Sequence, residues 1–426
     1  MNLAILHYAA PPVVGGVEQT IYHHARNLAD AGHAVRVIAG TGEPFDPRVQ
    51  MTVVPEFGSR HADVLAVKWQ LDRGEVTPCF TALRDRLVSL LSNALADADA
   101  LIAHNVFTLH KNLALTAALG ELLRPDRSAK PVRSGILAWH HDLAWDDPSY
   151  KGDMHSGYPW DLLRMPWPGV QHVTVSAAQQ ARLAVLYGIP PEHITVIPPG
   201  IDPAQFWGWS DTMRRLVTEL RLLEADMLLL LPARLTRRKN IEMALHILAA
   251  LRYLTGQDVR LVVTGPPGPH NPANAAYLQR LLDLRRELGL GDAAHLLYEL
   301  DVTPDDTTMA NLYQLADALL FPSTQEGFGI PILEASLARL PVFCADIPPL
   351  RETGASSAHY FDPHGDPAAI AAHIAQVLEQ DAAHRLRRRV LSSHVWRRIV
   401  EERVIPLLRP DRGSGNGKSE QGLTLQ

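Results

Sequence analysis

Two glutamates and a glycine-rich segment are the residues of this chain best suited to chemistry. Glu326 and Glu334 lie eight residues apart, and the segment Gly327–Gly329 stands between them. The pattern predicts a buried strand over Ala318–Phe321 and a helix that begins at about Ile330. Free backbone N–H groups and the helix dipole favour negative charge at such a helix start. The segment therefore predicts an anion site, such as one for a phosphate.

A second group of candidate residues is cationic. Arg234, Arg237, Arg238 and Lys239 occupy four of six consecutive positions after an apolar strand. Arginine offers a planar fork of donors and lysine a point charge, so Arg234 and Lys239 form a natural pair to bind a diphosphate. A solvated basic loop explains Arg237 and Arg238 equally well.

Glycines follow two further strands. Gly15 and Gly16 stand between the first strand and the first helix, where paired glycines let a ligand approach the backbone. They do not form the G-x-G-x-x-G turn of dinucleotide-binding proteins, and a plain turn is an equal alternative. Gly265 opens a stiff turn of glycines and prolines that could approach a base or a ribose, although a tight turn explains most of it.

A histidine pair ends another apolar strand. His140 and His141 follow Trp139, and a histidine at the carboxyl edge of a strand can donate a hydrogen bond or act as an acid or base. Acidic and histidine side chains nearby raise the question of a metal: Asp142, Asp146, Asp147 and His155. Their spacing matches no standard zinc pattern, and acidic loop residues are usually solvated, so we expect no metal.

Length and composition restrict the class of protein. A chain of 426 residues exceeds the size of one hydrophobic core, so two domains are expected. The net charge of −6 and the lack of a basic stripe argue against nucleic acid as a partner. Cys79 and Cys344 are too few for a disulfide framework. No apolar run reaches membrane-spanning length and no signal peptide is recognisable, so a cytoplasmic protein is expected.

Strand and helix patterns alternate along the chain, which is typical of doubly wound α/β domains with mainly parallel sheets. The predicted strands are Leu3–Ala9, Val35–Ala39, Thr52–Pro55, Ala100–His104, Gly135–Trp139, His172–Ser176, Ile194–Ile197, Leu228–Ala233, Arg260–Thr264, His295–Tyr298, Ala318–Phe321, Val342–Ala345 and His359–Phe361. The predicted helices are Val17–Ala31, Pro78–Ala96, Asn112–Leu123, Ala177–Tyr187, Ile241–Thr255, Ala273–Leu288, Thr307–Leu315, Ile330–Ala338, Pro367–Glu379 and Ala382–Leu408.

A cluster of proline and glycine at Pro198–Asp202 marks the expected domain boundary. We predict one domain over residues 1–198, completed by a C-terminal helix at 391–409, and a second domain over 199–390. Residues 410–426 lack apolar periodicity and are expected to be a disordered tail. The last helical tract carries many arginines. They form either a basic surface for peripheral membrane contact or a solvated face, and we favour the solvated face.

Taken together, these residues resemble the retaining family 4 glycosyltransferases (glycosyl transferases group 1), from Leu3 to about Leu408. The resemblance depends on an E-x7-E pattern at Glu326 and Glu334, the Gly-Gly turn, the P-x-G-I-D segment at Pro198–Asp202 and an R-x4-K pattern at Arg234 and Lys239. It implies the GT-B fold, in which two Rossmann-like doubly wound domains face each other across a cleft.

The resemblance also implies a substrate and roles for residues. The donor would be a nucleotide-diphosphate sugar, transferred with retention to a sugar, glycan or lipid-linked acceptor, without a metal or further cofactor. Arg234 and Lys239 would neutralise the diphosphate, Glu326 would hold sugar hydroxyls, and Glu334 would hold the ribose. The implied catalytic residues are His141, with His140 as its alternative, Arg234, Lys239 and Glu326; the implied donor-binding residues are Gly15, Gly16, Gly265, Gly327, Phe328, Gly329, Ile330 and Glu334.

Three alternatives remain beside this interpretation. A sugar phosphorylase or a nucleotide-sugar epimerase would use the same fold with another product. An NAD-dependent dehydrogenase is disfavoured by the missing glycine pattern and the missing acidic residue that would follow it. A non-catalytic protein that binds a nucleotide sugar would have no need of the cationic pair Arg234 and Lys239. The oligomeric state is not predicted.

Overall fold

A computed structural model describes residues 1–124, 132–267 and 273–408. The chain divides into two compact units, one of which comprises Met1–Gly200 with the segment that starts at Trp396, while the other comprises Ile201–Val395. The predicted disordered tail and part of the turn after Gly265 lie outside the described residues.

The first unit is built on a parallel sheet of seven strands. The strands are β1 (Asn2–His7), β2 (Ala34–Ala39), β3 (Val49–Val53), β4 (Ala100–His104), β5 (Gly135–His140), β6 (Val170–Thr174) and β7 (Ile194–Val196). Their order in the sheet is β3-β2-β1-β4-β5-β6-β7. The direction of winding therefore reverses between β1 and β4, where open α/β sheets place their ligands.

Helices cover both faces of this sheet. They are α1 (Gly16–Asp30), α2 (Ala62–Leu71), α3 (Pro78–Leu95), α4 (Leu113–Leu122) and α5 (Ala177–Tyr187). Strand β1 shows why both faces must be covered: Leu3 and Ile5 enter one core and Ala4 and Leu6 enter the other, all at most 1% exposed. A strand buried on both faces reads as a continuous apolar run, which is what the sequence shows.

The second unit repeats the plan with six parallel strands. They are β8 (Met227–Leu231), β9 (Val259–Val263), β10 (Ala294–Leu296), β11 (Ala318–Phe321), β12 (Val342–Ala345) and β13 (His359–Phe361). The order β10-β9-β8-β11-β12-β13 puts its reversal between β8 and β11. The predicted fold class, α/β with two doubly wound units, is confirmed.

Nine helices of this unit lie in the described residues. They are α6 (Pro203–Phe206), α7 (Asp211–Glu219), α8 (Ile241–Thr255), α9 (Ala273–Glu287), α10 (Asp306–Leu315), α11 (Ile330–Leu337), α12 (Pro348–Gly354), α13 (Pro367–Gln380) and α14 (Ala382–Ser393). Strand β8 divides its side chains as β1 does, with Leu229 in one core and Leu228 and Leu230 in the other.

The last helical tract is not one helix, contrary to the prediction. Helix α14 ends at Ser393, and the chain continues as α15 (Trp396–Ile399), a π-helical turn over Val400–Val404 and α16 (Ile405–Leu408). Trp396 stacks on His23 of α1 with ring centroids 5.2 Å apart. Trp396, Val400 and Val404 join the core of the first unit because they recur at helical spacing on one face.

Two arginines of α14 contradict the predicted solvated face. The Arg387 guanidinium donates to the carbonyls of Gln314, Leu315 and Ala316 at 2.5–2.6 Å, which are the carbonyls left free at the end of α10. Arg388 donates to Ala225, and both arginines lie within 4 Å of the buried carboxylate of Asp317. Burial lowers the pKa of Arg387. These cations hold secondary structure together.

Four other helices were missed by the sequence interpretation: α2, α6, α7 and α12. Helix α2 buries Val64, Val67 and Leu71 but exposes Leu65 and Trp69, so its apolar residues are not confined to one face and give no clear helical periodicity. Helix α12 begins with two prolines, which suit a first turn because its N–H groups have no partner within the helix. Across the described parts of the chain, no helix is both long enough and apolar enough to cross a membrane.

Candidate functional site

The candidate site of the second unit lies at the carboxyl ends of β8 and β11. These neighbouring strands flank the reversal of winding. Arg234 and Lys239 follow β8, and Glu326 follows β11. Residues separated by almost ninety positions in the sequence are thereby brought to one edge of the sheet. This edge is where the topology of an open α/β sheet leaves a crevice for a ligand.

Lys239 and Glu326 form a buried ion pair. The Lys239 ammonium donates to Glu326 Oε1, and the two side chains are only 11% and 9% exposed. Arg238 approaches Glu326 Oε2 at 3.4 Å and donates to the carbonyl of Gln325 at 3.0 Å. The aromatic ring of Phe321 lies 5.0 Å from the Lys239 ammonium. Two cations thus fix one carboxylate, and Arg238 is a member of the site that the sequence interpretation left to solvent.

Arg234 differs from Lys239 because it is unpaired. Its side chain is exposed, and within the described residues its guanidinium has neither an ion pair nor a hydrogen bond. A free cation at the carboxyl edge of β8 is available to an anionic ligand. The two cations predicted to act together therefore differ in their surroundings: Lys239 is buried and paired, whereas Arg234 is exposed and, within the described residues, unpaired.

Gly265 positions the loop that carries Arg234. A Cβ at Gly265 would lie 2.5 Å from the carbonyl oxygen of Ala233 and 2.7 Å from Cα of Arg234. The Gly265 N–H donates to that same carbonyl at 3.1 Å, and Leu235 N–H donates to Pro266 at 3.0 Å. Only glycine permits the two backbones to come this close. The structure thus gives Gly265 a packing role, and its predicted contact with the donor stays a prediction.

The segment Gly327–Ile330 forms the exposed start of α11. Gly329 takes a φ of +102°, a conformation that glycine adopts readily, and a Cβ there would meet Leu350 at 2.6 Å. No side chain caps the helix. Phe328 and Ile330 are 48% and 61% exposed, and Gly327 has open space around its Cα. The start of α11, where the sequence predicts free N–H groups, is therefore exposed.

Glu334 stands at the start of the second turn of α11, where Tyr313 holds it. The Tyr313 hydroxyl, from α10, donates to Glu334 Oε2 at 2.5 Å. Burial, and then the adjacent carboxylate, raise the pKa of Tyr313, so its hydroxyl stays protonated and continues to donate. One carboxylate oxygen remains to accept from a ligand. Nothing in the local sequence around Tyr313 indicates this contact.

In the first unit, the Gly15-Gly16 turn joins β1 to α1. A Cβ at Gly15 would meet Glu18 Oε2 at 2.1 Å, whereas a Cβ at Gly16 would meet nothing within 4 Å. Gly15 has an extended backbone that any residue adopts, and the end of a glutamate side chain can move aside. Packing within the unliganded protein therefore does not require either glycine, which leaves room for the predicted role in binding.

His141 and His140 have different surroundings. His140 is fully buried, with Nδ1 3.1 Å from Thr108 Oγ1 and Nε2 3.0 Å from His172 Nδ1. His141 is half-buried at the carboxyl edge of β5, and its Nε2 lies 3.1 Å from Nδ1 of His104. Burial, and then His7, lower the pKa of His141 to about 3. His141 is thus a neutral imidazole, and His140 belongs to the core.

Asn105 positions the backbone at His141. The Asn105 side-chain carbonyl accepts from the N–H of His141 at 2.8 Å and of Asp142 at 3.1 Å, while its amide donates to the Asp142 carboxylate at 2.9 Å. Asn105 has a φ of +60°, which asparagine tolerates better than most residues. The sequence interpretation missed it, although a polar residue directly after β4 at the reversal of winding is a usable indication.

The acidic residues considered as metal ligands have other partners. Asp142 accepts from Asn105, Asp146 pairs with Arg182, and Asp147 accepts from the N–H of Ser149. A separate cluster brings ligand atoms of Asp72, His110 and Asp153 within 4.8 Å of one another. The Lys68 ammonium lies 2.6 Å from Asp72 and 3.5 Å from Asp153, so both carboxylates of this cluster already have a cationic partner.

The first unit contains several buried or half-buried histidines. Burial lowers the pKa of six of them: His7 and His172 to about 4, His24 and His141 to about 3, and His104 and His140 well below the usual value. Because the unfolded chain exposes these imidazoles, all six bind protons more readily when the protein unfolds.

Two family models match most of the chain. The model of glycosyl transferases group 1 matches residues 216–391, which include Arg234, Lys239, Glu326 and Glu334. The model of glycosyltransferase family 4 matches residues 14–205, which include Gly15 and Gly16.

Individual relatives resemble the chain over most of their length. The MMP α-(1→4)-mannosyltransferase of Mycolicibacterium hassiacum is 26% identical over 80% of this chain and 80% of its own. The mannosylglucosylglycerate synthase of Thermotoga maritima is 24% identical over the same shares. The crystal structure of a glycosyltransferase from Rickettsia africae covers 95% of this chain and 97% of its own, with 16% identity and a TM-score of 0.35.

Proposed function

Because this chain belongs to the family 4 glycosyltransferases of the GT-B fold (glycosyl transferases group 1), we propose that it uses a nucleotide-diphosphate sugar as donor. It transfers a hexose with retention of configuration to a sugar, glycan or lipid-linked acceptor and releases a nucleoside diphosphate. Relatives named for mannosyl transfer make mannose the first sugar to test.

The observation that carries this proposal is the arrangement of charge at the ends of β8 and β11. When the bond from the sugar C1 to the β-phosphate oxygen breaks, the electron pair and negative charge move onto that oxygen. The free Arg234 and the buried Lys239 lie at one sheet edge to stabilise this charge. Stabilisation of a developing charge by fixed cations is usually the largest single contribution to the rate.

Glu326 and Glu334 serve the donor in two ways. Glu326, fixed by Lys239 and Arg238, accepts hydrogen bonds from hydroxyls of the transferred hexose. Glu334, with one oxygen engaged by Tyr313, accepts from the ribose hydroxyls with the other. The uncapped start of α11 adds N–H groups beside them. This division of roles follows the E-x7-E spacing, which sets one carboxylate before the helix and the other one turn into it.

Retention is proposed to occur on one face of the sugar, without a covalent intermediate. A carboxylate held by two cations is a weak nucleophile, and Glu326 is such a carboxylate. The oxygen of the departing phosphate instead takes the proton of the acceptor hydroxyl, while the acceptor oxygen bonds to C1. The chain supplies its own cations to the leaving group, so we propose that transfer needs no metal.

The test is a screen of nucleotide sugars, with GDP-mannose and UDP-glucose first, for release of nucleoside diphosphate with and without acceptors. Mass spectrometry identifies the product, and NMR gives the configuration at C1. We expect a retained anomer and equal rates with and without EDTA. Sugar phosphate as the product would indicate a phosphorylase, an epimerised donor an epimerase, and binding without turnover a non-catalytic protein; each outcome would overturn the proposal.

A matched pair of variants ties the activity to the site. Lys239→Ala should reduce turnover strongly. Arg237→Ala is the control, because Arg237 lies on the same short turn but is exposed, with its guanidinium 5.8 Å from the ring of Tyr277 and no carboxylate in contact within the described residues. Equal losses in both variants would argue against a specific role for Lys239.

A further inference from the structure

The described residues form a cavity of about 720 Å³ in the second unit and one of about 510 Å³ in the first unit. The cavity of the first unit indicates a class of ligand. It opens at the carboxyl ends of β1, β2 and β4, on the reversal of winding. Apolar side chains of Val13, Val17 and Leu109 form part of its wall. A mixed apolar and polar cavity of this size suits a small molecule.

Two cations of this cavity have no carboxylate partner. Arg60 is exposed, and in the described parts of the chain it makes neither an ion pair nor a hydrogen bond. The Lys111 ammonium lies 4.9 Å from the ring of Tyr150 and likewise has no ion pair among those residues. Other cations nearby do have carboxylate partners: Lys68 pairs with Asp72, and Arg86 pairs with Asp63.

The start of α2 adds to this positive end of the cavity. The segment Gly58–His61, which leads into the ten-residue helix, lines the cavity. No side chain caps the helix, and Asp63, the acidic residue of its first turn, is paired with Arg86, so the first N–H groups are available to a ligand. The dipole of the helix favours an anion at this end. The helix start and the two unpaired cations are separate features, and each favours an anion at this end of the cavity.

The rest of the cavity is lined by carboxylates and an amide. Glu18 and Asp142 line it, together with Asn105. The Glu18 carboxylate is 3.9 Å from His7 Nε2, and Asp142 accepts from Asn105. Burial lowers the pKa of His7 to about 4, so His7 brings no positive charge at neutral pH. Carboxylates repel an anion but accept hydrogen bonds from hydroxyls.

We infer that the acceptor is a polyhydroxylated molecule that carries one anionic group, a phosphate or a carboxylate. Arg60, Lys111 and the start of α2 bind the anionic group, and Glu18 and Asp142 bind hydroxyls. That this molecule is the acceptor rests on the proposed function, whereas its chemical class is inferred from the cavity alone.

Direct titration tests the inference without requiring turnover. Glucose 6-phosphate, glucuronate and glucose are titrated calorimetrically into the full chain at low salt. At least one of the two anions should bind about 10- to 100-fold more tightly than glucose, the range expected for charge-assisted hydrogen bonds. A preference for glucose 6-phosphate identifies the group as phosphate, and a preference for glucuronate identifies it as carboxylate. Equal affinity for all three molecules would overturn the inference.

Variants locate the anion. Arg60→Ala with Lys111→Ala should abolish the preference for the anions and leave the weak affinity for glucose. Arg124→Ala is the matched control, since Arg124 is exposed, pairs with Glu121 and does not line the cavity. An anion preference that survives in the double variant would place the anion elsewhere and refute the assignment.

Failure of this inference and failure of the proposed function are distinguishable. The affinity for nucleoside diphosphate and the melting temperature are measured for every variant. If the wild-type chain releases nucleoside diphosphate but binds the three acceptor probes equally, only the acceptor class is wrong. If it consumes no nucleotide sugar yet prefers an anion through Arg60 and Lys111, only the proposed function is wrong.

Discussion

Replacement of Lys239 by alanine should damage both the stability and the activity of the protein. The change leaves the Glu326 carboxylate, whose side chain is 9% exposed, without the ammonium that pairs with it. Arg238 at 3.4 Å is then the one cation that remains beside it among the described residues. An uncompensated buried charge is among the costliest defects that a single substitution creates.

The expected loss of stability follows from the geometry of the pair. Removal of one member of a fully buried ion pair costs roughly 3–5 kcal/mol, and one charged hydrogen bond costs about 1–3 kcal/mol. Because Arg238 still approaches Glu326 and the Glu326 side chain is 9% exposed, we expect about 2 kcal/mol. For a unit of this size, that lowers the melting temperature by about 4–8 °C.

Arg234→Ala is the informative comparison. Arg234 is exposed and, in the described residues, unpaired, so its loss should change the free energy of unfolding by less than about 0.5 kcal/mol. Both substitutions should still reduce turnover by about 10²–10³, because each removes a cation proposed to stabilise the leaving group. The two variants therefore differ in stability and agree in activity.

Thermal melts of the wild type, both single variants and the double variant Lys239→Ala/Glu326→Gln supply the measurement. The double variant should recover part of the lost melting temperature, since it removes the unpaired charge as well. The reasoning is refuted if Lys239→Ala melts at the wild-type temperature, or if Arg234→Ala proves the less stable of the two.

Three further predictions concern other parts of the molecule. Gly16→Ala should leave the melting temperature unchanged, since a Cβ there meets nothing within 4 Å, but should raise the donor KM. Gly265→Ala should lower the melting temperature, because its Cβ would lie 2.5 Å from the carbonyl oxygen of Ala233. Glu334→Gln should raise the donor KM with little effect on kcat, and Tyr313→Phe should do so more weakly; an unchanged KM in Glu334→Gln would count against the ribose role. Below pH 6.5 the unfolded chain binds protons that the buried histidines of the first unit do not bind in the folded state, so stability should fall as the pH drops from 6.5 towards 4; a melting temperature equal at pH 7 and pH 5 would contradict this.

The sequence was sufficient to predict the strands of both sheets because most of them are short apolar runs bounded by turn residues. The mostly polar or exposed β3 (Val49–Val53) was predicted three residues late, at Thr52–Pro55. Strands buried on both faces, such as β1 and β8, give the strongest indication. It was insufficient for α2, because apolar residues on its exposed face, such as Leu65 and Trp69, hide the helical spacing of its three buried side chains. The break after α14 was missed because apolar residues continue at helical spacing on both sides of it.

For the site, the sequence identified residue types better than partners. Lys239 and Glu326 were both chosen, but their pairing depends on β8 and β11 being neighbours, which the order of strands along the chain does not state. Tyr313 was missed because it is a buried residue of an ordinary amphipathic helix. Asn105 was missed because a single asparagine after a strand has many structural uses.

The most direct test of the central claim compares nucleoside diphosphate release by the wild-type chain with release by the double variant Arg234→Ala/Lys239→Ala. Both proteins receive the donor that the screen identifies, at a saturating concentration and with acceptor present. The account predicts release by the wild type and a loss of about 10²–10³ or more in the variant, because both leaving-group cations are gone. Release at a near-wild-type rate by the variant would contradict it.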